Sequence, residues 1–427
     1  MCECNGGAFS DHDIFSEDET CDDFVSFTAD EEEFCCNLTQ FLEVEGRLAI
    51  CIIGIIFNTI AVILLLDKKL SKEIFNRLLM CLVMMDNVYL VIGVLTVWIN
   101  SMDQPSFEGL CFYFYFIRPL RGIAMCSIIY MTILLAFQRY MYVTRPLDSR
   151  IRNDQHFGAT WKKVFYYVGP VILISFAYHL PVFFEVTIGT CSESDEKCFD
   201  NSTTIVLSKK VERNDSYDVV TRLSISKFRS NGMYSLLYLN IGNIVLTGIV
   251  PLLLLVYFNF FVVRGMRKFE RKRSVRRQES FQTEKKKDSQ EEKELKNQRN
   301  QTIILFSIVI IFLICHCLRI VLNAHDLATH KNMFQRSEEN CNHGHPYWVN
   351  IGHPISETFL KINSIANFFI YCAFNNRFRK AVRNRLLQIF NLCGIGNCLA
   401  DSSRSQYAQS KNSQDQKNSC ACTYETE

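Results

Sequence analysis

Residues 1–45 contain no lysine or arginine, yet they carry fourteen acids: Glu3, Asp11, Asp13, Glu17, Asp18, Glu19, Asp22, Asp23, Asp30, Glu31, Glu32, Glu33, Glu43 and Glu45. The formal net charge of +2 hides this asymmetry, because residues 264–299 are the reverse, rich in Arg and Lys. The N-terminus has neither a basic start nor an apolar run, so no cleavable signal peptide is read there and the first apolar stretch is expected to act as the insertion signal. No internal repeat is visible, which argues against a transporter built from two matching halves. No soluble segment places His, Cys or carboxylates at metal-ligand spacing, and no catalytic constellation appears, so neither a metal, a cofactor nor an enzyme is expected. A nucleic-acid partner is not expected either.

What the chain does have is long apolar runs. They cover 48–66, 78–99, 110–137, 164–184, 234–263, 301–323 and 354–374. Each is close to the ~20 residues that a helix needs to cross the hydrocarbon core. Only helices and closed barrels satisfy their own backbone in lipid, and a barrel alternates instead. The fold class is therefore an all-α membrane protein, a seven-transmembrane-helix bundle. The last run is the weakest, since Glu357, Lys361 and Asn363 interrupt it. The basic residues fall in alternate connections: Lys68, Lys69, Lys72 and Arg77; Arg145, Arg150, Arg152, Lys162 and Lys163; Arg264 to Arg273; and Arg377 to Arg385. These segments belong on the cytoplasmic side, which puts the acidic N-terminus outside a plasma membrane and the C-terminus inside. The sequons at Asn37, Asn201 and Asn214 fall in outer segments and are glycosylation candidates, whereas Asn300 is internal.

Phe378, Val382, Leu386 and Ile389 recur at helical spacing among basic residues, which predicts a short amphipathic inner helix over 375–390. The organisation is then an acidic extracellular segment 1–45, a seven-helix bundle with its inner helix 46–390, and a polar, disordered tail 391–427. Nineteen cysteines are too many for one framework. Those in apolar runs (Cys51, Cys81, Cys126, Cys315, Cys317, Cys372) read as small buried hydrophobes. Those in outer segments can form disulfides. After the fourth run, Phe183–Thr190 and Phe199–Leu207 read as the two arms of a hairpin.

Polar groups inside apolar spans are costly and mark function, although a lone Asn is more often an interhelical hydrogen bond and a lone Arg a snorkelling surface charge. Here they come in order: Asn58 in span one, Leu82-x-x-x-Asp86 in span two, Gln138-Arg139-Tyr140 ending span three, Pro146-Leu147 after it, Pro251 in span five, and Asn363-Ser364-x-x-Asn367-x-x-x-Tyr371 in span seven. Together they resemble the rhodopsin-like (class A) G-protein-coupled receptors over about residues 46–390. A narrower resemblance, to invertebrate FMRFamide-type neuropeptide receptors, rests on Ile129-Tyr130-Met131-Thr132, on Tyr178-His179-Leu180-Pro181-Val182-Phe183-Phe184-Glu185-Val186, on Val321-Leu322-Asn323, on Asn259, and on the proline-free Asn363-to-Tyr371 motif.

The resemblance implies a receptor that passes an extracellular signal to heterotrimeric G proteins, with Arg139, Tyr140, Asn367 and Tyr371 in activation and Asn58, Asp86, Asn363 and Ser364 in a core polar network. It also implies arrestin and kinases on the tail, palmitoylation at Cys393 or Cys398, and a disulfide between Cys111 and the loop after span four, with Cys198 the choice and Cys191 the runner-up. Departures are Gln138 in place of the acid that restrains Arg139, Cys315-His316-Cys317-Leu318 without its kinking Pro, and Ile128 where a Ser would help Asp86 hold sodium. The implied ligand is an amidated, RFamide-like peptide. Glu185, Tyr238, His316, Arg319, Glu357 and Lys361 are the ligand candidates, with Glu185 or Glu357 expected to pair the peptide Arg. Lys361 stands six residues before Asn367, the spacing of an opsin's retinal lysine, but His316 replaces the aromatic that would pack a chromophore. An opsin-type or orphan non-peptide receptor is the alternative, and a transporter a more distant one.

Overall fold

The computed structural model describes residues 29–67, 70–71, 73–101, 107–144, 157–192, 204–214, 217–279, 285–336, 346–375 and 378–385. Cys198, Asn201, Cys393, Cys398 and the tail from 386 onward lie outside them. Among the described residues, seven long helices form the bundle. Helix α1 runs as Ala29–Gln40, a wide turn Phe41–Gly46 and Arg47–Leu65. Helix α2 is Ile74–Asn100. Helix α3 is Phe107–Phe112, a wide turn Tyr113–Ile117 and Arg118–Thr144. Helix α4 is Phe157–His179, closed by a tight turn Leu180–Phe184. Helix α5 starts at Gly232–Tyr234, widens through Ser235–Gly242 and Ile244–Ile249, and continues as Val250–Glu279. Helix α6 is Lys285–Arg336 and α7 is Tyr347–Phe374.

Six of these helices are long and apolar enough to span a membrane on composition alone. Helix α7 falls short of that measure, yet it packs in the bundle against α1, α2 and α6. Its polar residues face inward: Lys361, Asn363, Ser364 and Asn367 are buried, while Ile362 and Phe369 face out. Exposed Ile52, Ile56 and Ile63 on α1 and Phe165, Leu173 and Ile174 on α4 supply the apolar belt that acyl chains require. Helix α3 is the hub, touching α2, α4, α5 and α6.

The wide turns have a local cause. In α5, the Val250 N–H bonds to the Val245 carbonyl, five residues back. The same step one residue on would need an N–H from Pro251, which has none. The Leu246 carbonyl is instead served by the Tyr130 hydroxyl of α3 at 2.9 Å. In α3 the Arg118 N–H bonds to the Tyr113 carbonyl, again just before a proline, Pro119. Helix α6 has no proline in Cys315-His316-Cys317-Leu318 and runs unbroken through it.

The connection from α4 to α5 is a three-stranded antiparallel sheet, β1 Val186–Ser192, β2 Thr204–Asn214 and β3 Tyr217–Ile225, in the order β1-β3-β2. This corrects the expected hairpin. The 199–207 arm does not return along β1. Two residues separate β2 from β3, so these two make the tight hairpin, and β3 then pairs with β1 from Val186↔Ile225 to Ser192↔Val219.

Residues 375–427 form a separate unit. Its helical stretch covers 378–385, and the Asn375 side chain accepts from the Phe378 N–H at 3.2 Å as a cap.

Candidate functional site

Three polar assemblies sit along the bundle axis. The middle one joins α1, α2 and α7. The Asn367 amide donates to Asp86 Oδ2 at 2.7 Å, and the Asn58 amide donates to the Ser364 carbonyl at 3.2 Å. Asn58 and Asp86 are fully buried, and Asn363, Ser364 and Tyr371 are nearly so. Asn58 Oδ1, Asp86 Oδ1 and Ser127 Oγ have no hydrogen-bond partner among the described residues. Ser127, and not Ile128, is thus the buried hydroxyl of this stretch of α3.

The second assembly is at the Arg139 end of α3. Gln138 does not restrain Arg139; its own side-chain oxygen is buried without a partner. The restraint comes from other helices. The Arg139 guanidinium donates to the Gln301 side-chain oxygen of α6, and the Gln301 amide donates to Glu73, which precedes α2. The guanidinium also lies 3.9 Å from the centre of the Phe75 ring. Neighbouring Tyr140 packs among Tyr257, Phe258 and Phe261 of α5. Sequence reading missed Gln301 and Glu73, because nothing in their local pattern distinguishes them from solvated polar residues at span ends.

The third assembly lies at the sheet end. Glu185 closes α4 and opens β1, and its side chain is wholly inaccessible. Its carboxylate pairs with Arg118 of α3 at 2.8 Å and Arg229 at 2.9 Å, and accepts from the Tyr234 hydroxyl of α5 at 2.7 Å. Its backbone carbonyl accepts from the Ser226 N–H at 2.9 Å, and the Tyr115 hydroxyl donates to the Val186 carbonyl at 3.0 Å. Glu185 therefore bolts the sheet onto α3 and α5. A buried carboxylate already holding two guanidiniums is not a free counter-ion for a ligand, which corrects that expectation. Tyr238 is also engaged: its hydroxyl donates to the Tyr178 carbonyl at 2.6 Å, and its ring stacks on Tyr234 with centres 5.0 Å apart.

Deeper in the same half, Glu357 of α7 lies 3.2 Å from the Lys361 ammonium and 3.8 Å from the Arg319 guanidinium of α6. His316, one helical turn before Arg319, is buried and stacks on Phe312. These four ligand candidates are thus brought together, while Glu185 and Tyr238 belong to the bolt above them. An apolar groove of about 600 Å³ between α1, α6 and α7, lined by Ile53, Ile310, Ile362 and Phe369 among others, opens sideways to lipid and is not part of this assembly.

The disulfide reading changes. Cys111 is a free thiol here, although Tyr115, one turn on, binds β1 directly. Cys35 and Cys36 on α1 are disulfide-bonded. Cys51, Cys126 and Cys315 are buried thiols as expected, whereas Cys317 is exposed on the outer face of α6. Of the sequons, Asn37 is exposed on the first segment of α1 and Asn214 ends β2.

Comparison with known proteins fits this architecture. The chain is 24% identical over 340 residues to a FMRFamide receptor of Drosophila melanogaster, an alignment covering 77% of this chain and 51% of that protein. The chain thus spans about half the length of that relative. Residues 45–388 match the family described as serpentine type 7TM GPCR chemoreceptor Srw. The match takes in α1 from residue 45 on, α2 to α7 and the three polar assemblies, and so this chain is a membrane receptor, not an enzyme, and belongs to the serpentine seven-transmembrane G-protein-coupled receptor family Srw.

Proposed function

We propose that this protein is a plasma-membrane receptor, of the rhodopsin-like type, whose sheet end faces outward and receives a peptide of the amidated, Arg-Phe-ending class. The observation that carries this reading is the alignment with the FMRFamide receptor, which runs through the sheet, the bolt and the Arg139 latch together. The acidic segment 1–45 would draw a cationic peptide and speed its encounter, and with Glu185 already engaged it is also the place for the peptide's Arg. The peptide's aromatic side chain finds apolar and aromatic area near Phe228, Tyr234 and Tyr238.

Occupancy at the sheet end would bias α5 and α6 toward an arrangement in which Arg139 leaves Gln301 and meets a heterotrimeric G protein on the cytoplasmic face. Arrestin and kinases acting on the tail, and acylation of Cys393 or Cys398 anchoring the inner helix in lipid, complete the reading. The test is a peptide-library screen on cells bearing the full chain, read by calcium and cyclic nucleotide. An amidated peptide should signal through the intact receptor, and Arg139→Ala should abolish the signal at unchanged surface expression. Activation by small amines or lipids alone, or full signalling by Arg139→Ala, would overturn the reading.

A further inference from the structure

We infer that the ligand delivers an anionic group, in an amidated peptide the side-chain carboxylate of an Asp or Glu, to Arg319, Lys361 and Tyr89 inside the bundle. This rests on the receptor reading above and specifies the chemistry that its deep site accepts.

The argument is one of charge and unmet donors. Glu357 is a single carboxylate shared by two cations, Lys361 at 3.2 Å and Arg319 at 3.8 Å. Another carboxylate, Glu43 of α1, is 3.6 Å from Arg47 one turn along. Arg47, itself paired with Glu43, and Arg121 also lie within the field of Glu357. A guanidinium offers five N–H donors. Besides the distant Glu357, the Arg319 guanidinium meets the Met125 sulfur of α3 at 2.7 Å, and a thioether is a weak acceptor. The Tyr89 hydroxyl of α2 is buried in the same field, with the residue 3% exposed, and has no hydrogen-bond partner. The Tyr89 ring centre lies 5.9 Å from the Lys361 ammonium.

The Lys361 ammonium also donates to the Glu357 backbone carbonyl at 3.0 Å, so the donors still short of acceptors among the described residues are the Arg319 guanidinium and the Tyr89 hydroxyl. Arg319 and Glu357 keep 22% and 27% of their side-chain surface accessible, so the cluster is open to an entering group, while Lys361 at 4% lies behind it. An incoming carboxylate would make bidentate contact with Arg319, take the Tyr89 proton as a hydrogen bond and bring the two cations into balance with two anions. An incoming guanidinium would meet like charge in a low-dielectric site.

The probes are charge-matched pairs. Phe-Met-Arg-Phe with a free C-terminal carboxylate is compared with its amide, and the Asp-extended amide with the Asn-extended amide, on cells carrying the full chain. In parallel, N-acetylphenylalanine and N-acetylphenylalanine amide are compared by thermal stability of the purified full-length receptor. The carboxylate member should be more potent by about tenfold in at least one peptide pair, and N-acetylphenylalanine alone should raise the melting temperature. Both effects should vanish in Arg319→Gln, survive in part in Arg319→Lys, and strengthen in Glu357→Gln, which frees both cations. A wild-type receptor stabilised equally, or not at all, by the acid and the amide would overturn the inference whether or not any peptide signals. Stabilisation by the acid with no peptide response would keep the inference and sink the peptide reading instead.

Discussion

Glu185 carries more of the structure than its local sequence suggests. It is one acid in an apolar stretch, and two arginines distant in sequence converge on it. Removing the charge leaves those guanidiniums without their buried partner, which costs about 3 kcal/mol in such settings. Glu185→Gln is therefore expected to lower the thermal stability and surface level of the receptor, with potency at the surviving receptors little changed. A rightward potency shift at normal expression would show instead that Glu185 meets the ligand. At the other end, Gln301 joins α6 to Arg139 and passes on to Glu73. Gln301→Ala deletes both bonds while leaving Arg139 in place. Ligand-independent nucleotide exchange on the G protein should rise several-fold, since a restraint worth about 1–2 kcal/mol is lost from the resting state. Unchanged basal exchange would mean that Phe75 and burial alone hold Arg139.

Among the elements, α3 and α4 meet where Gly122 faces His179. A Cβ added at Gly122 would run into the His179 ring, which is held by its contact with the Ser175 carbonyl at 3.1 Å. Small residues let membrane helices approach closely, and filling such a contact forces the pair apart. Gly122→Ala should cost about 1–3 kcal/mol, seen as a lower melting temperature of purified receptor. His179→Ala should restore much of the loss. The sheet shows how far an element was readable. Phe183–Thr190 is expected as a strand; the strand begins only at Val186, with Phe183 and Phe184 in the tight turn before it, and its partner is β3. Alternation and turn residues mark strands locally, whereas pairing is set by loop length and by which edge remains open once β2 and β3 have closed.

For the whole molecule, the topology predicts which sequons are modified. In the proposed orientation, Asn37, exposed on the first segment of α1, and Asn214 at the end of β2 should carry glycans, while Asn300, at the Arg139 end of α6, should not. Glycosidase treatment should increase gel mobility in wild type, less in Asn37→Gln or Asn214→Gln, and equally in Asn300→Gln. A shift that depends on Asn300 would invert the topology. The proposed orientation would put the acidic segment outside and the basic ends of α5 and α6 inside.

The sequence by itself determined that this is a helical membrane bundle. A backbone in lipid must satisfy its own hydrogen bonds, and apolar length is countable along the chain. It also marked Asn58, Asp86, Arg139 and Asn367, because a polar group in an apolar run is conspicuous without knowledge of its neighbours. Only the tertiary structure decided what those groups do with each other. Helix rotation and depth set whether Glu185 or Glu357 has spare capacity, that Arg139 leans on Gln301 and not on Gln138, and that Tyr130 supplies the bond that Pro251 cannot. Such pairings depend on distances between helices, which the order of residues along one helix does not encode.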